Sequence, residues 1–425
     1  MTYSQALRYI HSLGRGYGAE SHDRMRILLF LLGDPQKGQK YIHVAGTNGK
    51  GSVTAYLSSI LREAGLRTGS FTSPYITDFR ERMQIGGRPI SRKALASLTE
   101  EVKAQADRMA DQGEQVTQFE FVTALALLWF RRRGCQAAVI EAGIGGLLDA
   151  TNSIPRPLAA VITSLDYDHT ALLGGSLREI ADHKCGIFTG KGGCPVVSAP
   201  GQREEAWNTI AWHAARAGCA LSAPDLGDAQ VVERSLEGTR VRWQGMELAI
   251  PLLGEFQVTN TLTAVETARR LEESGLKLPR GAILRGIAKA RLPVRMEVLG
   301  REPLILVDGA HNPAGVRALR ESLTALGFRR LTAVVGMLGD KDCRQALEEL
   351  LPYVGRAVTA PPDSPRALTG PQLAELAGRY CPVQAADSCA QALEMALEDP
   401  GDGVVVFGSL FLAAEARALL LRQHF

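Results

Sequence analysis

The seven residues GTNGKGS, Gly46 to Ser52, bring together three glycines, a lysine and a hydroxyl. Those residue types suit phosphate. Glycines let a backbone approach an anion closely and take up φ > 0. Lys50 supplies positive charge, and a following helix N-terminus aims amide N–H groups at oxygen. The spacing departs from the usual phosphate loop, G-x-x-x-x-G-K-[ST]: Gly46 and Gly49 stand close together, and Gly51 separates Lys50 from Ser52. A plain glycine turn is the competing reading, yet turning a chain calls for neither a lysine nor a serine. Thr47 and Asn48 lie inside the same loop and share the expectation of nucleotide binding.

Three further groups could act beside such a loop. Glu141 ends the apolar run AAVIE and is followed by glycines. A carboxylate there sits where α/β proteins bind ligands. His169 follows another strand-like run, in SLDYDHT, and Lys184 lies in REIADHKCGIF. Singly, each has a bland reading: a solvated strand-end charge, a loop histidine bonded to backbone, a solvated helical lysine. Together, after a phosphate loop, they suggest a magnesium–nucleotide site, because Mg²⁺ bridges phosphates and a few protein ligands.

The elements that must position these groups alternate between strand-like and helical patterns, which predicts an α/β fold with a parallel-rich sheet. Strands are expected at 41–45, 137–141, 159–163 and 195–198, with helices at 53–64 and 119–131 between them. Near Arg291-Leu292-Pro293 the pattern pauses. It restarts with strands at 304–307, 331–335 and 404–407, a helix from Pro313 and a C-terminal helix. This predicts an N-terminal phosphate-loop domain over 1–293 and a smaller Rossmann-like α/β domain over 294–425, with the boundary near 290–296. Residues 220–250, with the alternation VRWQGMELAI, read as a small β excursion closing the first domain.

Bulk properties exclude several classes. The 425 residues suit two or three domains, and a net charge of +3 gives no reason to expect nucleic acid or an anionic membrane as partner. The one dense basic run, Arg131-Arg132-Arg133, reads as a helix C-terminus. Seven cysteines without a C-x-x-C pair argue for a reducing compartment. With no secretory signal visible and no apolar run near the ~20 residues of a membrane span, a cytoplasmic protein is expected. Nothing marks an interface, so a monomer is the default.

The stretches HVAGTNGKGS, TSPYITDFRERMQIGG, EAGIGGLLDATN, ITSLDYDHTALLG, IADHKCGIF, PVRMEVL, VDGAHNPAG and GMLGDKD occur in an order that resembles the folylpolyglutamate synthase and dihydrofolate synthase family of the Mur ligase superfamily. The resemblance implies a two-step ligation in a cleft between two domains. ATP phosphorylates a carboxylate, and the amine of L-glutamate then displaces phosphate from the acyl phosphate. Acceptors would be reduced folates and, because L-D-A-T-N resembles the bifunctional members, dihydropteroate. By position, Gly46 to Ser52 would hold ATP, with Lys50, Glu141, His169 and Lys184 as the catalytic groups. Ser73, Glu141 and His169 match magnesium ligands, Lys184 matches a carbamylated lysine, and Asn260, Arg295, Asp308 and His311 match groups that touch the nucleotide.

Departures occur at Tyr75 and Leu147, where the family often has histidine and arginine, and at Val294, where it often has glycine. The first two bear on the pterin side of the substrate rather than on the reaction class. Two alternatives compete. A muramyl-peptide ligase is expected to carry a further domain before its phosphate loop, and a non-catalytic ATP-binding regulator would not need Ser73, Glu141, His169 and Lys184 together.

Overall fold

The structure is a computed structural model and describes residues 1–14 and 22–422. The chain divides into two compact units, one of residues 1–228 and 259–290, the other of residues 229–258 and 291–425.

The first unit is built on eight strands: β1 (Tyr41–Ala45), β2 (Thr68–Phe71), β3 (Met83–Ile85), β4 (Arg88–Pro89), β5 (Ala137–Glu141), β6 (Ala159–Ile162), β7 (Val196–Ser198) and β8 (Leu221–Ser222). Their order is β4-β3-β2-β5-β1-β6-β7-β8. From β2 to β8 neighbouring strands are parallel, while β3 and β4 form an antiparallel edge. Strands β1, β5 and β6 are buried at every position, as parallel strands covered on both faces must be. The helix Gln118–Arg132 shows why the covering is complete. Glu120 to Phe130 are all buried, and each large apolar side chain among them contributes about 1.5–3 kcal/mol on leaving water. Its one buried acid, Glu120, is held by both Nε and Nη2 of Arg24, each at 2.8 Å.

The second unit contains two sheets. A three-stranded antiparallel sheet joins β9 (Gln230–Ser235), β10 (Gly238–Trp243) and β11 (Met246–Ile250). The other sheet contains β12 (Glu297–Arg301), β13 (Leu304–Val307), β14 (Thr332–Val335), β15 (Arg356–Thr359), β16 (Val383–Ala385) and β17 (Val404–Phe407). Its order is β12-β13-β17-β14-β15-β16, parallel except for β12. The expected β excursion is therefore present, but residues 229–258 group with the second unit, where the sequence reading placed them at the end of the first. Leu253 is buried with Met296, Leu304 and Leu306, and Leu236 packs against that cluster. The alternation of β10 and β11 marks a buried face but carries no information on which core covers it. The chain then returns to the first unit along the helix Phe256–Glu273.

Candidate active site

Strand order brings the candidate groups of the first unit to one edge. Strands β2, β5, β1 and β6 are adjacent and parallel. Ser73 lies just beyond β2, Glu141 ends β5, the glycine loop leaves β1, and His169 follows β6. All emerge at the carboxyl ends of the strands, where the winding of a doubly wound sheet reverses and ligands bind.

The loop is held from below. Thr47 and Asn48 donate their amides to the carbonyl of Ser164, at 2.8 and 3.2 Å, and the Thr47 hydroxyl donates to the Asp166 carbonyl at 2.9 Å. The helix Lys50–Glu63 begins directly after Gly49, which stands at φ +88° with no capping side chain. Intrahelical bonding starts at Val53, whose amide donates to Gly49. The amides at the head of the helix have no carbonyl upstream in that helix, so their end presents positive potential. Gly49 also needs to be glycine on packing grounds: a Cβ there would lie 2.4 Å from Oδ1 of Asn260, itself buried on the helix Phe256–Glu273. The sequence reading placed Asn260 near nucleotide, and the structure sets it against the loop.

Two lysines converge on one carbonyl. Lys50 Nζ donates to Gly46 O at 2.9 Å and to Thr47 O at 3.0 Å, and Lys184 Nζ donates to the same Gly46 O at 2.8 Å. Lys184 is only 4% exposed. Burial, aided by the Lys50 charge and opposed by Asp168 and Asp149, holds its ammonium at about 7 against an ordinary 10.5. Lys184 is therefore a substantially neutral amine near pH 7, unlike a solvated lysine.

Glu141 is buried, and its Oε2 lies 3.4 Å from the Ser73 amide. The Glu141 carboxylate is a hard oxygen donor of the kind Mg²⁺ takes. His169 sits in the left-handed region at φ +51°, at the start of the short helix Thr170–Leu173. Its amide is fixed by Asp168 Oδ1 at 2.9 Å. Among the described residues, no group of three or more His, Cys, Asp or Glu side chains is gathered tightly enough to hold a metal. Glu141, with Ser73 and His169 at the same edge, would suit an ion that takes only a few protein ligands, as Mg²⁺ does.

Sequence reasoning assigned no role to three residues beneath this edge. Buried His43, on β1, has Nε2 2.9 Å from the Thr151 hydroxyl, which donates to Asp149 Oδ1 at 2.5 Å. The single hydroxyl proton is thus used on Asp149, so Thr151 accepts from a neutral imidazole protonated at Nε2. Burial, aided by Lys191, drives the His43 imidazole well below its usual range, consistent with that tautomer. Asp149 Oδ2 accepts the Ile144 amide at 2.9 Å and so fixes the turn that follows Glu141. A histidine among the apolar residues of YIHVA was the available signal.

The remaining candidates, Arg295, Asp308 and His311, belong to the second unit. Asp308 follows β13 and is buried. Its Oδ1 accepts the Ala310 amide at 2.7 Å, and its Oδ2 accepts the Met296 amide at 2.8 Å. His311 Nδ1 lies 2.9 Å from Gly309 O. Asn312 then caps the helix Pro313–Ala325 through the Gly315 amide, the arrangement expected of a proline at the first helical position.

Comparison with known proteins fits this geometry. The Mur ligase middle domain family matches residues 44–268, and the Mur ligase glutamate ligase domain family matches residues 294–410. The folylpolyglutamate synthase of Lacticaseibacillus casei is 37% identical over 99% of both chains. This chain belongs to the folylpolyglutamate synthase and dihydrofolate synthase family. Solved structures agree. The Mycobacterium tuberculosis folylpolyglutamate synthase complexed with ADP and AMPPCP superposes with a TM-score of 0.88 at 31% identity, over 98% of both chains. The Escherichia coli member in complex with DHPP and ADP gives 0.87 at 30% identity, over 100% of this chain and 99% of that one. The family's members are ATP-dependent ligases, and the α/β architecture of parallel-rich sheets expected from sequence is the one found.

Proposed function

We propose that this chain joins L-glutamate to reduced folates, and to dihydropteroate, in an ATP-dependent reaction through an acyl phosphate. The observation that carries this reading is the meeting of Lys50 and Lys184 on the Gly46 carbonyl, at the head of a helix and beside Glu141. A carboxylate is a poor electrophile toward an amine, and phosphorylation gives it a leaving group. The protein's task is then positioning and charge stabilisation of the transferring phosphoryl group.

In this reading Gly46 to Ser52 cradle the ATP phosphates, and Lys50 exchanges loop carbonyls for phosphate oxygens. Asn260, Arg295, Asp308 and His311 serve the nucleotide. Magnesium, held by Ser73, Glu141 and His169, would supply positive charge to the phosphates. Lys184, neutral for much of the time near pH 7, is suited to carbamylation by CO₂, which would replace a cation with an anion at the loop. The amine of L-glutamate attacks the acyl carbon, and phosphate departs. We take the protein to be a cytoplasmic monomer; all seven cysteines are free thiols, and among the described residues no helix is long and apolar enough to cross a membrane.

The test is ADP release with Mg-ATP and L-glutamate, comparing 7,8-dihydropteroate, tetrahydrofolate and no acceptor, with products identified by mass. Release with both acceptors is expected. Release with tetrahydrofolate alone would limit the enzyme to polyglutamate synthesis, and release with neither despite ATP binding would remove the ligase reading.

A further inference from the structure

The phosphate loop does not rest on β1 alone. The Thr47 and Asn48 amides both donate to Ser164 O, and Gly46 is pressed so closely on Thr163 that a Cβ would collide with Oγ1. Asp166 closes the arrangement: its amide donates to the Thr47 hydroxyl at 3.1 Å, and its carbonyl accepts from that hydroxyl. Residues 163–166, just after β6, are therefore the platform on which the loop lies. Three residues further on, the same segment carries His169.

A side chain from the next strand holds this platform. Strand β7 lies beside β6, on the side away from β1, and Gln202 follows β7 by four residues. Its carboxamide spans Ser164. Oε1 accepts the Leu165 amide at 3.0 Å, and Nε2 donates to Thr163 O at 3.0 Å and to the Ser198 hydroxyl at 3.3 Å. The two backbone partners fix which end is which, because an N–H only donates and a carbonyl only accepts. Thr163 and Leu165 are buried, so a backbone group left unpaired at either is costly. Arg203 reaches the same segment from the following position, with Nη2 3.4 Å from Asp166 Oδ1.

We infer that Gln202 is a positioning residue for ATP: its carboxamide braces Ser164 from both sides, and through Ser164 it sets the Thr47 and Asn48 backbone of the phosphate loop. Its effect is carried by backbone, from the end of β7 across the end of β6 to the loop after β1. Such bracing matters because a misplacement of about 1 Å can cost up to ~10²-fold in rate. The inference rests on the assignment of the glycine loop to ATP made above.

The test combines titration of ATP binding on the full chain with ligation kinetics, ATP being varied at saturating glutamate and folate. Gln202→Met removes every polar contact at nearly constant length. Gln202→Glu keeps an acceptor for Leu165 but sets a carboxylate oxygen against Thr163 O. Both are expected to weaken ATP binding and to lower kcat/KM for ATP by about tenfold or more, Gln202→Glu the more strongly, while KM for glutamate stays within about twofold. Gln202→Met introduces no repulsion and carries the test if Gln202→Glu does not fold. Val102→Ala, a cavity under the helix Arg92–Ala110, is the stability control. It should lower the melting temperature with ATP kinetics unchanged. A control that reproduced the ATP defect at an equal loss of melting temperature would overturn the inference. So would Gln202 variants that bind and use ATP as the parent does. If the parent itself binds no ATP, the assignment of the loop fails, and this inference with it; a parent that binds ATP no better than its Gln202 variants sinks the inference alone.

Discussion

Two loops in this molecule use left-handed backbone, and they reach it by different means. The phosphate loop places glycines there, with Gly46 at φ +152° and Gly49 at +88°. The Arg295 segment places Val294 and Met296 there. For glycine the conformation is freely accessible. For an L-residue it costs roughly 1–2 kcal/mol, which neighbouring hydrogen bonds and packing must offset. The first loop is therefore shaped by its own sequence, whereas the second is shaped by what surrounds it.

The largest effects should come from the chemistry of the glycine loop. Lys50→Ala and Glu141→Gln are expected to lower ligation by about 10²–10³-fold, the scale of losing a positioned electrostatic group. Circular dichroism should stay that of the parent. Wild-type-like ADP release in either would sink the site assignment. Gly49→Ala tests the backbone itself. Its methyl would meet Asn260 Oδ1 at a left-handed position, so a loss of about 2 kcal/mol in urea unfolding is expected, together with weaker ATP binding in a titration.

Lys184 gives the next effect, and its sign follows from linkage. Its native pKa of about 7 lies below the ordinary 10.5. Between those values the unfolded chain holds a proton that the native chain has lost, so stability rises with pH across about 7–10.5. Below pH 7 both states are protonated and the full cost of burying the charge remains. Lys184→Met should flatten that slope in denaturation curves. If carbamylation operates, CO₂ depletion should lower turnover more strongly at pH 6.5 than at pH 8, and ¹³C-bicarbonate should give a carbamate signal that this variant lacks.

The smallest effect sharpens the comparison most directly. At an ordinary position glycine is less stable than alanine by roughly 0.5–1 kcal/mol. At Val294 the order should invert: both substitutions lose the buried side chain, but only glycine removes the strain. Val294→Gly should therefore exceed Val294→Ala in stability by about 1 kcal/mol. The ordinary order in urea unfolding would show that the segment is not strained.

The same contrast explains what could be read in the sequence. GTNGKGS declares its backbone through its residue types. AAVIE, with its run of buried positions, declares a parallel strand and places Glu141 at its end. Val294 declares nothing: only the observed dihedral shows that it stands where glycine would be at ease. His43 and Asp149 lie 106 positions apart, and their link through Thr151 needs the pairing of strands to become visible. Lys184 reads as a surface helical lysine until the fold buries it against Gly46. The membership of residues 229–258 was illegible for a related reason, since period-two alternation records a face and not its partner.

That last feature reaches beyond the finished structure. The second unit's residues enter the chain in two instalments, with residues 259–290 of the first unit between them. Leu253 cannot meet Leu304 until 51 more residues have been made, which at ~5–20 residues per second is roughly three to ten seconds of synthesis. During that interval Leu253, and Leu236 with it, leave the ribosome without the apolar side chains they pack among in the finished unit. No single cut of the polypeptide can release both units whole, and a nascent chain halted before Leu304 is a natural client for chaperones.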